Sequence, residues 1–302
     1  MLQQTQVATV IDYFNNFIKH FPTLNDLANA SEDAVLAQWA GLGYYARARN
    51  LHKTAQIIMQ EYQGAFPKDI EQVITLPGIG KSTAGAILSL SFNQTHAILD
   101  GNVKRVLTRA YQVEGHYAQN RTLKELWRLS EHHTPDNRTN HYTQAIMDLG
   151  ATLCTRSKPD CSHCPINDHC LSYTHQTQDQ YPHPKPKKSK PSQSIAMLIF
   201  TKNGQVHLEK RPSKGIWGGL WSFVECGDTT ESINSAIQDF DLSASIVTHL
   251  PVFNHTFTHY HLHIHPVIVD CPSSDKLFYP TDQSSLGMPK PVVKIMAQLI
   301  EK

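Results

Sequence analysis

Four of the six cysteines, Cys154, Cys161, Cys164 and Cys170, form one close pair flanked by two wider gaps, while Cys226 and Cys271 stand alone far downstream. Four thiolates at such spacing can hold an iron-sulfur cluster or a zinc ion. Zinc ribbons usually present two close pairs and this segment has one, which favours a 4Fe-4S cluster. Arg156 and Lys158 fall inside the same segment, where cations can face the phosphates of a nucleic acid. A second locus is Leu76-Pro77-Gly78-Ile79-Gly80, set between two stretches of helical spacing. Its glycines let the backbone turn tightly and aim amides at a phosphate, and the dipole of the following helix from Lys81 adds attraction. That pattern reads as a helix-hairpin-helix; taken alone it also fits an ordinary corner between two helices. A third is Asp100, followed by Gly101-Asn102-Val103-Lys104-Arg105. Its carboxylate can cap a helix over 103–111, and capping does not prevent it from also doing chemistry.

These side chains need elements to hold them. With 302 residues the chain exceeds one ordinary domain, so two or three compact units are expected. Val7, Val10, Ile11, Phe14 and Phe17 recur at helical spacing, as do Leu51, Ala55, Ile58 and Met59, and the first half reads as helices broken at Pro22, Gly41 to Gly43, Gly64, Pro67 and Pro77. A first helix is expected from Gln3 to Phe17. The stretch 181–192, rich in proline and lysine, cannot supply a core and reads as an interdomain linker. Beyond it, strand-like runs at 195–200 and 206–208, the alternating stretch 259–268 and a closing helix near 292–300 predict a mixed α/β domain. No apolar run approaches a membrane span. The net charge of +1 announces no global attraction for nucleic acid, so any such footprint must be local. The clustered cysteines and the lack of a signal-peptide pattern point to a reducing compartment.

Hairpin, aspartate and four-cysteine segment, in this order, resemble the endonuclease III superfamily of DNA glycosylases. Met1-Leu2-Gln3-Gln4-Thr5-Gln6-Val7, Gly41-Leu42-Gly43-Tyr44-Tyr45-Ala46-Arg47 and Met147-Asp148-Leu149-Gly150-Ala151 narrow the resemblance to its MutY-type adenine glycosylase branch, over essentially the whole chain. The resemblance implies an all-α glycosylase domain over 1–180, with the hairpin at about 64–91 and the iron-sulfur loop at 154–170. An α/β Nudix-like domain would follow over 193–302. It further implies a base-excision enzyme that flips and hydrolyses adenine mispaired with 8-oxoguanine or guanine in double-stranded DNA. Asp100 would be the catalytic carboxylate. Gln3, Gln4, Tyr44, Leu76, Gly78, Gly80, Lys81, Ser82, Asn102, Lys104 and His259 would lie at the DNA. A glutamine would wedge into the space left by the flipped base and Tyr44 would insert beside the damaged one, a role suited to a planar ring. Tyr45 reads as core.

Superfamily members that also cut the backbone carry a nucleophilic lysine where Ser82 stands. A serine cannot form an imine, so excision by water attack is expected, without strand cleavage. Lys104 is the nearby amine, and its plainer reading is a phosphate contact. In the second domain the segment from Arg211 to Phe223 resembles the entry to a Nudix fold, yet 229–240 offers Glu231 and Asp239 without paired glutamates, so nucleotide hydrolysis is not expected. The resemblance suggests instead an 8-oxoguanine-reading module whose contact loop is Phe257-Thr258-His259-Tyr260-His261. His259, His261, His263 and His265 alternate on one strand face; with no carboxylate or cysteine interleaved, a polar face is favoured over a metal site. In the family the acid that protonates adenine is a glutamate two positions before the residue matching Met1, and neither Glu32 nor Glu61 matches its place. A chain lacking it would bind the mispair and turn over slowly, which keeps a mismatch-binding protein as one rival; the other, an endonuclease III-like lyase acting on oxidised pyrimidines, is disfavoured by Ser82 and by the added C-terminal domain. A monomer in the bacterial cytoplasm, associated with the nucleoid, completes the expectation.

Overall fold

The computed structural model describes all residues except 3, 4, 6, 186–188, 258, 283, 284, 301 and 302. Among the described residues no strand precedes Ser192. The helices are α1 (Val7–His20), α2 (Leu24–Asn29), α3 (Glu32–Trp39), α4 (Ala46–Glu61), α5 (Ile70–Thr75), α6 (Lys81–Phe92), α7 (Gly101–Tyr111), α8 (Asn120–His133), α9 (Thr139–Asp148) and α10 (Leu171–Thr174). Local chemistry sets several of their starts. Before α2 the Thr23 hydroxyl accepts the Asp26 amide while the Asp26 carboxylate accepts the Thr23 amide, a capping box; Ser31 caps α3, and Asp69 accepts the Glu71 and Gln72 amides before α5. The first helix begins at Val7 rather than in the Gln3 register expected, and Gln3 and Gln4 lie outside the described residues.

The chain divides into two compact units, 65–187 and the pair 1–64 with 188–302. This partition groups α1 to α4 with the C-terminal segment, whereas the linear reading ran one domain from 1 to 180. In the 65–187 unit, Val103, Val106 and Leu107 form the apolar stripe of α7 and bury against Leu126 and Leu129 of α8, Ile146 of α9 and the segment Ile98-Leu99. Each such side chain stabilises the unit by about 1.5–3 kcal/mol. A smaller cluster of Val73, Ala84 and Leu88 joins α5 to α6. After α9 the backbone widens into one π-turn, Leu149–Leu153, which delivers the chain to Cys154.

The other unit is built on a mixed sheet. Its elements are β1 (Ser192–Lys202), β2 (Gln205–Val206), β3 (Glu209–Lys210), β4 (Trp221–Ser222), β5 (Val224–Cys226), α11 (Thr230–Phe240), β6 (Ser245–His249), β7 (Phe253–Thr256), β8 (His261–Asp270), β9 (Tyr279–Pro280) and α12 (Lys290–Ile300). The main path runs β6-β8-β1-β2-β9, with β5 also on β1, β7 on β8, and β3–β4 as a separate ribbon. Central β1 runs parallel to β8, Ser192 facing His261 through Thr201 facing Asp270. Ala196 to Phe200 is continuously buried because helices cover both faces. Met197 and Ile199 share a core with Leu36 and Trp39 of α3 and with Ile295 of α12, while Ala196, Leu198 and Phe200 meet Ile233 and Ile237 of α11. The mixed α/β domain and the closing helix expected from the sequence are both present.

Candidate active site and iron-sulfur loop

The hairpin turn between α5 and α6 is closed by the Ile79 amide donating to the Leu76 carbonyl at 3.1 Å, with Gly78 at φ +77°. An ordinary side chain at Gly78 would be strained there. Gly80 is the N-cap of α6 and brings no side chain to its first-turn amides, the arrangement that suits a helix end for an anion. Lys81, the first residue of α6, lies 2.8 Å from Glu131 Oε1 and 4.3 Å from the Trp127 ring centroid.

The segment entering α7 is held by hydroxyls. Ser82 Oγ accepts the Leu99 amide at 2.9 Å, Ser130 Oγ donates to the Ile98 carbonyl at 2.6 Å, and Ser89 Oγ donates to the His96 carbonyl at 3.1 Å. Asp100 follows as the N-cap, its Oδ1 accepting the Val103 amide at 2.8 Å. The capping reading of Asp100 therefore holds, and the bond engages one of its two carboxylate oxygens. Lys104 stands over Tyr117, 5.7 Å from its ring centroid. The Asn102 side chain accepts from Arg105 Nη2 at 2.9 Å, so part of its capacity is spent inside the fold. Gly150 packs on Asn102 so closely that a Cβ there would come within 2.6 Å of the Asn102 Cβ.

Helix α7 continues from this carboxylate to the cysteines. Arg105 Nε donates to the Cys154 carbonyl at 2.6 Å, and its Nη2 donates to the Gly150 carbonyl. Arg109, one turn on and only 3% exposed, donates to the carbonyls of Thr155 (2.7 Å), Arg156 (3.2 Å), Gln178 (3.0 Å) and Tyr181 (2.9 Å), and to Cys154 Sγ at 3.4 Å. Sequence reasoning missed both arginines. Their i, i+4 spacing along the helix capped by Asp100 puts both on one face but names no partner, so the sequence carried no signal for their role.

Cys154, Cys161, Cys164 and Cys170 line one cavity, closed by Val106, Leu149, Ile166 and Tyr173. Burial pushes the Cys161 and Cys164 thiols above their ordinary range, and the neighbouring Cys154 and Cys170 add to it. Among the described residues no three His, Cys, Asp or Glu side chains come close enough for a single metal ion. Four sulfurs spread around a shared cavity, with a buried guanidinium beside one of them, suit a multinuclear anionic cluster better than a lone zinc. Arg156 and Lys158 are exposed on this loop.

In the unit containing α1 to α4, Tyr44 has φ +51° and is half exposed. Arg47 supports it, with its guanidinium 5.4 Å from the Tyr44 ring and 5.5 Å from Trp39, and Nη2 donating to the Gly43 carbonyl at 3.3 Å. Tyr45 packs against the core and its hydroxyl accepts the Gly41 amide, as the core reading expected. His259 sits in an aromatic group with Phe257 and Tyr260, itself joined through Phe257 to Trp217. His263 pairs with Asn254 at 2.6 Å and His261 with Thr256 at 3.1 Å along the polar face of β8.

The chain matches three family models. Residues 1–132 match the HhH-GPD superfamily base excision DNA repair protein, 154–170 the iron-sulfur binding domain of endonuclease III, and 195–298 the NUDIX domain. It is 37% identical to the adenine DNA glycosylase of Buchnera aphidicola subsp. Acyrthosiphon pisum (strain APS), over 98% of this chain and 87% of that one. It is 39% identical to the adenine DNA glycosylase of Buchnera aphidicola subsp. Baizongia pistaciae (strain Bp), over 99% and 87%. To the human adenine DNA glycosylase it is 32% identical, over 86% of this chain and 57% of that one. Among solved structures, a thermostable thymine-DNA glycosylase superposes with a TM-score of 0.52 at 26% identity, covering 58% of this chain and 80% of that one. A non-covalent endonuclease III–DNA complex, at 22% identity and TM-score 0.50 over 58% and 80%, shares the fold. The helical and Nudix-like architecture and the 4Fe-4S cofactor expected from the sequence thus stand, and the chain belongs to the adenine DNA glycosylases of base excision repair.

Proposed function

We propose that this glycosylase removes adenine from A:8-oxoguanine and A:G mispairs in double-stranded DNA by hydrolysis alone, with no strand cleavage. The observation that carries this reading is at Ser82. Beside Asp100, where a lyase of this superfamily presents an amine, stands a hydroxyl already accepting the Leu99 amide. Lys104, the other nearby amine, lies against Tyr117.

In this reading the Asp100 carboxylate faces the sugar. As the N-glycosidic bond stretches, positive charge grows on the ring, and a fixed carboxylate stabilises it more than the neutral ground state. Water then bonds to the anomeric carbon, and its proton balances the one taken up by the departing adenine. Adenine is a poor leaving anion, so an acid must protonate it. Cys154, Cys161, Cys164 and Cys170 hold the cluster, which when bound ties the 154–170 loop together as an inorganic anchor. Arg105 and Arg109 connect that loop to the helix capped by Asp100.

DNA contacts are assigned to the hairpin backbone at Leu76, Gly78, Gly80 and Ser82, to Lys81, Asn102 and Lys104, and to Gln3, Gln4 and Tyr44 at the lesion. The exposed, supported ring of Tyr44 supports its role as a stacking wedge. The Nudix-like domain reads the damaged base through the loop containing His259. No described helix is long and apolar enough to cross a membrane, and we place the enzyme as a monomer with the bacterial nucleoid.

The test is a panel of duplexes carrying A:8-oxoguanine, A:G or thymine glycol, with and without borohydride. Adenine release from the first two, leaving intact abasic strands and no trapped adduct, is expected. Strand scission, a borohydride adduct, or preference for thymine glycol would support a lyase. Tight mispair binding with zero release would indicate a binding protein.

A further inference from the structure

Among the described residues the ammonium of Lys81 has two partners. Glu131 Oε1 on α8 lies 2.8 Å away, and the ring centroid of Trp127, one turn earlier on α8, lies 4.3 Å away. Both charged side chains are about half exposed, at 55% for Lys81 and 53% for Glu131. An ion pair so placed is screened and contributes little to folding. Its position is more telling, because Lys81 is the first residue of α6, directly after Gly80. The reading above puts a DNA phosphate at that helix end. A carboxylate and a phosphate beside one ammonium repel each other, so the two anions compete for it. Trp127 does not compete, since its neutral ring attracts the cation whichever anion is present.

We propose that Glu131 is an internal competitor for the hairpin's phosphate: it holds Lys81 when no DNA is bound, gives way on binding, and so sets the strength of this contact. Trp127 keeps the ammonium in place during the exchange. A glycosylase that must examine many undamaged sites gains from a phosphate contact that is already half satisfied, because binding to ordinary duplex is weakened. The inference rests on the phosphate reading of the hairpin, and counterion bookkeeping separates the two. A lysine that neutralises a phosphate releases about one cation from DNA. If Lys81 leaves Glu131 in doing so, the freed carboxylate attracts a cation and partly cancels that release.

The experiment is fluorescence anisotropy of the iron-loaded full chain on an undamaged duplex and on an A:8-oxoguanine duplex, across a salt series. The proteins are wild type, Glu131→Gln, Lys81→Met and the double variant. Glu131→Gln is expected to bind undamaged duplex several-fold more tightly at low salt, with a log K against log salt slope steeper by up to about one. Lys81→Met is expected to bind more weakly, the double variant should have a slope shallower than Glu131→Gln by about one, and Glu131→Gln should add little in the Lys81→Met background. Wild-type affinity and slope in Glu131→Gln, with Lys81→Met weakened, would overturn the competitor while leaving the phosphate reading intact. Equal slopes in Glu131→Gln and the double variant would overturn the phosphate reading of Lys81 and the inference with it. Equal tightening by Glu131→Gln with and without Lys81 would make Glu131 a diffuse repulsive charge and overturn the competitor as well.

Discussion

The Ser82 hydroxyl accepts the Leu99 amide at 2.9 Å, which fixes the backbone immediately before Asp100. Leu99 is 3% exposed, so in Ser82→Ala its amide would be left without that partner in a dry setting. A loss of about 1–3 kcal/mol in stability is expected, together with slower single-turnover excision because Asp100 is less firmly placed. Urea midpoints and excision rates of Ser82→Ala and Ser82→Thr check this. Wild-type values in Ser82→Ala would show that the bond positions nothing.

Arg109 is a buried cation whose donors serve four carbonyls and one cysteine sulfur. Arg109→Met would fill the volume and satisfy none of them, with a cost of about 1–3 kcal/mol or more expected from the carbonyls left without donors. The 154–170 loop should then retain iron poorly. Iron per chain and the visible absorbance after anaerobic purification give the readout, and a full complement of iron in Arg109→Met would remove Arg109 from the account of the loop.

Much of this was legible from residue type and spacing alone. The cysteine segment, the Leu76 to Gly80 turn and the Asp100 cap are local patterns, and in the structure the four cysteines line one cavity, the Ile79 amide closes the turn on Leu76 and the Val103 amide meets Asp100. The arginine bridge was not legible, because Arg105 and Arg109 find their partners some 45 to 72 residues away in sequence, and periodicity carries no information about such pairings. Nor was the grouping of α1 to α4 with the C-terminal sheet. The apolar stripes of α3 and β1 announce that each must be covered, but not that Leu36 and Met197 share one core.

Stability should fall on mild acidification. Burial lowers the pKa of His96, His133 and His255 below the ordinary 6.5. The unfolded chain therefore binds more protons than the folded one as pH drops through 6.5, and stability is lost there and below until the folded residues also titrate. Urea midpoints measured from pH 7.5 to 5.5 should decline, and His133→Gln should flatten part of the slope. An identical decline in His133→Gln would exclude that residue as a contributor.

The damaged-base reader is best tested by a point substitution. Removing 192–302 would strip the sheet from the core that Leu36 and Trp39 share with Met197 and Ile199, so a truncated chain would confound recognition with unfolding. His259→Ala changes a residue at the surface of its aromatic group. Loss of a polar contact fitted to the oxidised edge should reduce the preference for A:8-oxoguanine over A:G about five- to tenfold, the equivalent of about 1 kcal/mol, with A:G excision little changed. Equal loss on both substrates would assign the loop a role in general DNA binding.

Asp100→Asn separates the charge of Asp100 from its role as a helix cap. The amide oxygen of asparagine can still accept the Val103 amide, so the cap that holds α7 survives while the negative charge is removed. Single-turnover excision of adenine from an A:8-oxoguanine duplex, with protein in excess and iron content verified, should slow by about 10²–10³-fold or more, while mispair affinity stays within a few-fold of wild type. A rate within a few-fold of wild type would contradict the account, because the charge at Asp100 would then not be what stabilises the breaking glycosidic bond.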